Sequence, residues 1–285
     1  MPKTYNELYI DLRNRLKAAG VEAATLEASL LVAAAAGKTQ AQLLADLRLY
    51  TSSEVEQAVE AMARRRLAGE PAAYITGRWS FCGLDLMVDE NVLIPRNDTE
   101  VLVETALKLS GKSDSELRIL DLCTGSGCIG CALGRFLPGS RVVLADVSNR
   151  ALRIARENAQ RCGLGVRAVT LEADALAPAP ARLGSFDLIV CNPPYIPSAE
   201  IRSLDASVRD YEPHLALDGG ADGLQFYRAV LSGWKGLLRQ SGWLLFEVGE
   251  TQADEVEKLM RLAGLRSLGR AKDSGDWDRV VYGRL

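Results

Sequence analysis

The stretch RILDLCTGSGCIGCALG, residues 118–134, joins an apolar run to a glycine-rich turn and then to the start of a helix. Its three glycines, Gly125, Gly127 and Gly130, have the spacing G-x-G-x-x-G, and Asp146 ends the next apolar run. A buried strand, a tight turn and a helix in this order form the first half of a βαβ unit. The stretch therefore predicts an α/β fold.

The chain beyond residue 98 continues this alternation of strands and helices. Strands are predicted near 117–122, 141–146, 167–172, 186–191 and 243–248. Helical patterns between most of them indicate a doubly wound, Rossmann-like sheet that is mostly parallel. The last stretch, 264–285, has two strand-like runs around a polar turn and no helix, which predicts an antiparallel hairpin at the edge of the sheet.

The first 70 residues have a different, helical pattern. Leu8, Leu12 and Leu16 recur on one helical face, and Gly20 is a helix stop. Thr39 with Gln42, and Ser53 with Glu56, have the spacing of capping boxes. These patterns predict a small helical bundle.

The glycine-rich turn is typical of two classes of cofactor site. Enzymes that use a nicotinamide place a pyrophosphate at such a turn, whereas methyltransferases place S-adenosylmethionine there. The carboxylate of Asp121, at the end of the first strand, would repel a pyrophosphate but would attract the ammonium group of S-adenosylmethionine. Asp146 suits the ribose hydroxyls, and Asp174, after the third strand, is a candidate for the adenine edge.

A second unusual stretch is CNPPYIP, residues 191–197, directly after the apolar run FDLIV. Two prolines cannot donate to a sheet, so the fourth strand must end there, at the edge where ligands of such sheets bind. The Asn192 side-chain oxygen and the Pro193 carbonyl can accept both hydrogens of a planar –NH₂ group. Tyr195 offers a flat surface for that group. We therefore predict methylation of a planar –NH₂ group by positioning and desolvation, without a metal or a strong base.

Several motifs together resemble the protein-(glutamine-N5) methyltransferases of peptide chain release factors, the PrmC/HemK family. They are GEPAAYITGRWSFCGLDLMVDENVLIPRNDTEVLVE, DLCTGSGCIG, CNPPYIP, YEPHLALDGGADGLQFYR and LLFEVGETQ, and the similarity covers nearly the whole chain. The resemblance implies transfer of a methyl group from S-adenosylmethionine to the glutamine of the Gly-Gly-Gln motif in class I release factors.

The resemblance also implies roles for individual residues. The glutamine side chain would be bound by Asn192, Pro193, Pro194 and Tyr195, of which Asn192, Pro193 and Tyr195 would be catalytic. The cofactor would be bound by Asp121, Cys123, Thr124, Gly125, Ser126, Gly127, Asp146, Asp174, Ala175 and Asn192. The sequence departs from the family at Cys123, where glycine is frequent, at Asn97, where proline is frequent, and at Ala175, where an aromatic residue is usual.

The sequence pattern divides the chain into three segments, to which the resemblance adds functions. Residues 1–73 would form a helical substrate-recognition domain that helps to hold the release factor. Residues 74–97 would form an extended or hairpin linker. Residues 98–285 would form the S-adenosylmethionine-dependent methyltransferase domain.

Composition limits the partners of the protein. The 285 residues carry a net charge of −3 and a pI of about 5.5, so we expect no membrane partner and no direct binding of nucleic acid. The first residues lack the apolar core of a secretory signal, and the longest apolar stretch is too short for a bilayer. We therefore expect a cytoplasmic protein with reduced cysteines. Cys128 and Cys131 form a C-x-x-C, but one histidine in the chain argues for helix packing and against a metal site.

Two other enzyme classes are compatible with parts of this pattern. An adenine amino methyltransferase of DNA or RNA has the same kind of Asn-Pro-Pro-Tyr turn, but it needs base flipping and a basic surface. A nicotinamide oxidoreductase has the same glycine pattern, but Asp121 and the proline turn speak against it. His214, the one histidine, is expected to be a loop or packing residue because amide methylation needs no base.

Overall fold

The computed structural model describes residues 3–111 and 116–285. Contacts divide the chain into two compact units. The first comprises Met1–Arg78 and the short segment Ala206–Tyr211, and the second comprises Trp79–Asp205 and Glu212–Leu285. Each unit has its own hydrophobic core.

The first unit is a bundle of helices. Its helices are α1 (Tyr5–Ala18), α2 (Ala24–Ala35), α3 (Gln40–Ala45), α4 (Ser53–Leu67) and α5 (Ala72–Thr76). Leu8, Leu12 and Leu16 are buried along one face of α1, which confirms the helical face predicted from their spacing. The predicted capping box of Thr39 and Gln42 is present at the start of α3.

The predicted capping box of Ser53 and Glu56 is wrong by one residue. Helix α4 begins at Ser53, so the residue in the cap position is Ser52, whose hydroxyl accepts a hydrogen bond from the Val55 N–H at 3.4 Å. Ser52 has the extended backbone that a cap requires. Only Ser53 has a glutamate three residues later, yet Ser52 is the residue with the extended backbone and it caps the helix.

The stretch between residues 74 and 97 is partly helical. Helix α5 continues to Thr76 and ends at Gly77, which has the left-handed conformation common after a helix. Strands β1 (Arg78–Phe81) and β2 (Leu84–Met87) follow as a two-stranded hairpin. Cys82 and Gly83, which join these strands, both have positive φ angles, as a two-residue hairpin turn requires.

The second unit alternates strands and helices. The remaining strands are β3 (Arg118–Leu122), β4 (Arg141–Asp146), β5 (Ala168–Glu172), β6 (Phe186–Cys191), β7 (Leu238–Glu247), β8 (Arg266–Lys272) and β9 (Asp278–Arg284). The remaining α-helices are α6 (Glu100–Ser110), α7 (Cys128–Phe136), α8 (Asn149–Arg161), α9 (Ala206–Arg209), α10 (Gln225–Gly233) and α11 (Ala253–Leu262). Helix α9 lies in the segment that groups with the first unit.

The large sheet has the order β5-β4-β3-β6-β7-β9-β8. Strands β3 to β7 pair in parallel, and β9 pairs antiparallel with both β7 and β8. This confirms the predicted doubly wound, mostly parallel sheet with a terminal antiparallel hairpin, and the first unit confirms the predicted helical bundle.

The order of the strands reverses at β3. The chain passes from β3 to β4 and β5 on one side, and then returns to place β6 on the other side of β3. Leu122 of β3 pairs with Cys191 of β6, so the segments that follow both strands begin at the same edge of the sheet. Crevices at such a switch point are where α/β sheets bind their ligands.

Candidate functional site

Asp121 lies under the glycine-rich turn at the end of β3. Its side chain is fully buried, and its Oδ2 accepts hydrogen bonds from the Thr124 hydroxyl at 2.5 Å and the Gly130 N–H at 2.8 Å. Its Oδ1 is buried and has no partner in the described part of the chain. Burial raises the pKa of Asp121 to about 7. The carboxyl group thus holds the turn with one oxygen and leaves the other for a donor that the described residues do not supply.

Asp146 connects the turn to the end of β4. Its Oδ2 accepts from the Gly125 N–H at 2.9 Å, and its Oδ1 accepts from the Ser148 N–H at 2.9 Å. Burial raises the pKa of this carboxyl group as well. Each carboxylate oxygen can accept a further hydrogen bond, so Asp146 can still bind hydroxyl groups of a ligand.

The three glycines of the turn serve three different purposes. Gly125 has φ +53°, and a Cβ built there would enter open space. Gly127 has φ +80°, and its Cβ would lie 3.1 Å from the Cα of Ala155. A Cβ at Gly130 would overlap the Leu144 side chain, so this glycine allows α7 to lie against the sheet. Only Gly125 therefore borders space that a ligand can fill.

Cys123 also has a left-handed backbone conformation, with φ +61°. This conformation costs a residue other than glycine about 1–2 kcal/mol. The strain gives a physical reason for the glycine that the resembled family frequently has at this position.

Asp174 and Ala175 follow β5. Asp174 is exposed, and its Oδ1 accepts the Leu176 N–H at 2.8 Å. Ala175 is buried in the hydrophobic core that contains Leu120 and Trp234. The structure thus places Ala175 among packing residues, and its role toward the cofactor stays a prediction.

The Asn-Pro-Pro-Tyr turn directly follows β6. Asn192 and Tyr195 are half-buried and the two prolines are buried. The Asn192 Nδ2 donates to the Thr99 hydroxyl at 3.4 Å. Burial, together with the charge of Glu247, raises the pKa of the Tyr195 hydroxyl.

Residues that are distant in sequence hold the backbone of this turn. The Gln252 Nε2 donates to the Tyr195 carbonyl at 2.9 Å, and the Gly219 N–H donates to the Ile196 carbonyl at 2.8 Å. A Cβ at Gly219 would lie 2.7 Å from the Cα of Tyr195, so only glycine fits there. The turn is therefore fixed from two sides.

Four residues of the site were not identified from the sequence: Thr99, Asn158, Glu247 and Gln252. The Asn158 Nδ2 donates to the Ser126 carbonyl of the glycine-rich turn at 2.8 Å and to the Met87 carbonyl at 2.9 Å. The sequence feature that could have identified Asn158 is a polar residue on the apolar face of α8. Glu247 and Gln252 both lie in LLFEVGETQ, where a glutamate ends an apolar strand.

His214 lies apart from this chemistry, and the two cysteines of the C-x-x-C contribute packing. His214 is exposed in a short 3-10 helix. Cys128 and Cys131 are buried in α7, and all six cysteines are free.

Within residues 3–111 and 116–285, no three His, Cys, Asp or Glu side chains are grouped as a metal site would need. None of the helices in the same ranges has both the length and the apolar character for crossing a bilayer.

Two known domain families match different parts of the chain. Residues 7–77 match the PrmC N-terminal domain, and residues 97–212 match the methyltransferase small domain. A methyltransferase structure from Pyrococcus furiosus has a TM-score of 0.52 and 17% identity, with 79% of this chain and 98% of that chain covered. At this identity the likeness shows the fold alone.

Two relatives are similar over most of their length. The release factor glutamine methyltransferase of Geobacter sulfurreducens is 41% identical over 275 residues, which cover 96% of this chain and 94% of the relative. The protein of the same name from Moorella thermoacetica is 45% identical over 254 residues, which cover 88% of this chain and 87% of the relative. This chain therefore belongs to the release factor glutamine methyltransferase family.

Proposed function

We propose that this enzyme transfers a methyl group from S-adenosylmethionine to the side-chain amide nitrogen of the glutamine in the Gly-Gly-Gln motif of class I peptide chain release factors. The observation that carries the proposal is the position of the Asn-Pro-Pro-Tyr turn. It begins at the same edge of the sheet as the glycine-rich turn, across the switch point between β3 and β6.

The glycine-rich turn has the features that S-adenosylmethionine requires. The open space above Gly125 and the unpartnered Oδ1 of Asp121 fit a ligand that carries an ammonium group. We assign cofactor contacts to Asp121, the loop from Cys123 to Gly127, Asp146 and Asn192, with Asp174 and Ala175 on the adenine side. The cofactor supplies a methyl group on a sulfonium cation.

The proline turn binds the substrate amide. The Asn192 Oδ1 and the Pro193 carbonyl accept its two hydrogens, Tyr195 supports its planar face, and Pro194 fixes the turn. An in-line displacement at a sulfonium disperses positive charge, so the barrier is lowered mainly by orientation and by exclusion of water. Asn192, Pro193 and Tyr195 are therefore the catalytic residues of this proposal.

The helical domain over 1–73 is proposed to help hold the release factor, with 74–97 as a linker and 98–285 as the methyltransferase domain. A groove of about 450 Å³ in the first unit supports this part of the proposal. Leu26 and Leu44 line the groove and are 50% and 64% exposed. Exposed apolar surface of this kind is a frequent feature of protein-binding sites. Action on release factors also implies a cytoplasmic enzyme without direct nucleic-acid binding.

The test is incubation of the enzyme with labelled S-adenosylmethionine and a purified class I release factor, followed by peptide mass mapping. We expect one methyl group on the glutamine of the Gly-Gly-Gln peptide. A release factor with glutamate in place of that glutamine is the matched control. Label in DNA or RNA supplied in parallel, with none in the release factor, would contradict the proposal and favour an adenine methyltransferase.

A further inference from the structure

Glu247 is a buried carboxyl group beside the proposed substrate turn. It is the last residue of β7 and is 2% exposed. Cys191 pairs with Phe246, so Asn192 and Glu247 are the next residues along their neighbouring strands. The side chains of Thr99 and Asn192 lie close enough to the Glu247 carboxyl group to lower its pKa by hydrogen bonding. Its Oε2 has no hydrogen-bond partner in the described part of the chain.

The contact determines which end of the Asn192 amide faces the crevice. A carboxylate contains only acceptors, so it can bind the NH₂ end of an amide but not the oxygen end. Thr99, whose hydroxyl receives the Asn192 Nδ2 at 3.4 Å, holds the same end. The Oδ1 of Asn192 is then directed away from Glu247 and is free to accept a hydrogen from a substrate.

We infer that Glu247 is a positioning residue that keeps the Asn192 amide oriented for acceptance of the substrate's N–H group. The inference rests on the proposed function, because it concerns the acceptor that the glutamine amide would use. It assigns Glu247 no contact with substrate: the residue acts through Asn192, with Thr99 as the third member of the group.

Ionisation of Glu247 is part of this role. Burial raises its pKa to about 7, against the opposing effects of the Thr99 hydrogen bond and the charge of Arg279 on β9. Asp98, in the turn before α6, raises the pKa further, and the ionisable side chains of Tyr195, Tyr227 and Cys128 also face Glu247. A protonated carboxyl group has an O–H donor, which can bind the Asn192 Oδ1 and stabilise the opposite orientation. The productive orientation therefore weakens as the pH falls through the pKa of Glu247.

Spectroscopy tests the contact without any methyl transfer. In the cofactor-free enzyme, the side-chain ¹⁵N–¹H signals of Asn192 should titrate with the pKa of Glu247, and they should not titrate in Glu247→Gln. Glu212→Gln is the matched control, because Glu212 is also buried and its pKa is also raised, but it pairs with Arg96. The inference would be overturned if the Asn192 signals did not titrate with the pKa of Glu247, or if they lost their titration in Glu212→Gln. This result would hold even if the enzyme methylates another substrate.

Kinetics tests the consequence. At saturating cofactor, Glu247→Gln should lower the single-turnover rate constant by about 10- to 100-fold and abolish its fall at acidic pH. Adding Glu247→Gln to Asn192→Ala should lower the rate no further, because the residue acts through Asn192. Independent losses in the double variant, or a wild-type rate in Glu247→Gln, would contradict the role.

A second pair of variants covers the case in which Glu247→Gln does not fold. Thr99→Val removes the hydroxyl without changing the shape, and Thr99→Ser keeps it. We expect a several-fold slower rate with valine and near wild-type transfer with serine. Equal transfer rates in Thr99→Val and Thr99→Ser would contradict a role of the Thr99 hydroxyl in orienting Asn192. Absence of transfer in the wild type would refute the proposed function instead, and the titration of Asn192 would then decide this inference alone.

Discussion

At the scale of single residues, Asp121 and Glu247 are similar groups with different surroundings. Both are buried carboxyl groups at the ends of strands, and burial raises the pKa of each to about 7. Asp121 accepts hydrogen bonds from Thr124 and Gly130 of its own turn, whereas the side chains that lower the pKa of Glu247 come from other elements. Asp121 thus holds the proposed cofactor turn, and Glu247 lies beside the proposed substrate turn.

The first prediction concerns Asn192→Ala. The substitution removes one acceptor, so a substrate N–H in a dry site would lose its partner. We expect a loss of about 2–4 kcal/mol in the transition state, which is roughly a 30- to 1000-fold slower single-turnover transfer. Cofactor affinity, measured by calorimetry, should change by less than about tenfold. Full activity of this variant would mean that the turn only ends a strand.

The second prediction concerns Asn192→Asp. The new carboxyl group would contact Glu247, and two neighbouring buried carboxyl groups cannot both ionise at low cost. One group then has a folded-state pKa well above its unfolded value, so the folded state binds an extra proton. The stabilising proton is lost as the pH rises, and the unfolding temperature should fall more steeply between pH 5 and pH 8 than in the wild type. Asn192→Ala is the control without that extra slope, and parallel curves for both variants would contradict the contact.

At the scale of elements, the glycine-rich turn depends on its neighbours as well as on its own sequence. Asp146 from β4 accepts the Gly125 N–H, and Asn158 from α8 donates to the Ser126 carbonyl. Asn158 also exchanges hydrogen bonds with Met87, the last residue of β2. The turn is therefore held by a strand, a helix and the hairpin together, and of its three glycines only Gly125 borders open space.

The third prediction compares Gly125→Ala with Gly165→Ala. Both glycines have φ +53°, and a Cβ at either would meet nothing within 4 Å. The backbone strain should therefore cost both variants about 1–2 kcal/mol of folding stability. Only Gly125→Ala fills the proposed cofactor space, so it alone should weaken S-adenosylmethionine binding, by about tenfold or more in calorimetric titration. Equal affinities in the two variants would remove Gly125 from the cofactor site.

At the scale of the whole molecule, exposed leucines of the two units have different surroundings. In the first unit, Leu26 and Leu44 are exposed beside the groove. In the second unit, Leu262, the last residue of α11, is 78% exposed and lies at a helix end. An isolated exposed leucine needs no explanation, whereas a groove of exposed leucines suits a protein partner.

The fourth prediction follows from this difference. The double variant Leu26→Glu, Leu44→Glu should lower kcat/KM for an intact release factor by about tenfold or more, because charges then enter an apolar contact. Its activity on a short glutamine peptide should stay within about twofold. Leu262→Glu is the matched control and should change neither activity. Equal losses on both substrates would favour a purely stabilising role for the helical unit.

The sequence by itself determined the α/β class, the parallel sheet and the two turns that form the proposed site. These features are local: strand and helix periods, glycine spacing and the two prolines act within a few residues. The family resemblance followed from the same local motifs. The prediction of Ser53 as the cap of α4 is wrong, because a cap needs an extended backbone as well as a glutamate three residues later.

Only the tertiary structure decided how the turns are held. The contacts of Asn158 with Met87 and of Gln252 with Tyr195 join residues 71 and 57 positions apart. The proximity of Glu247 to Asn192 follows from the register of β6 and β7, in which Cys191 pairs with Phe246. Local patterns cannot encode such pairs, because strand order and register bring them together and burial then makes an unmatched polar group costly.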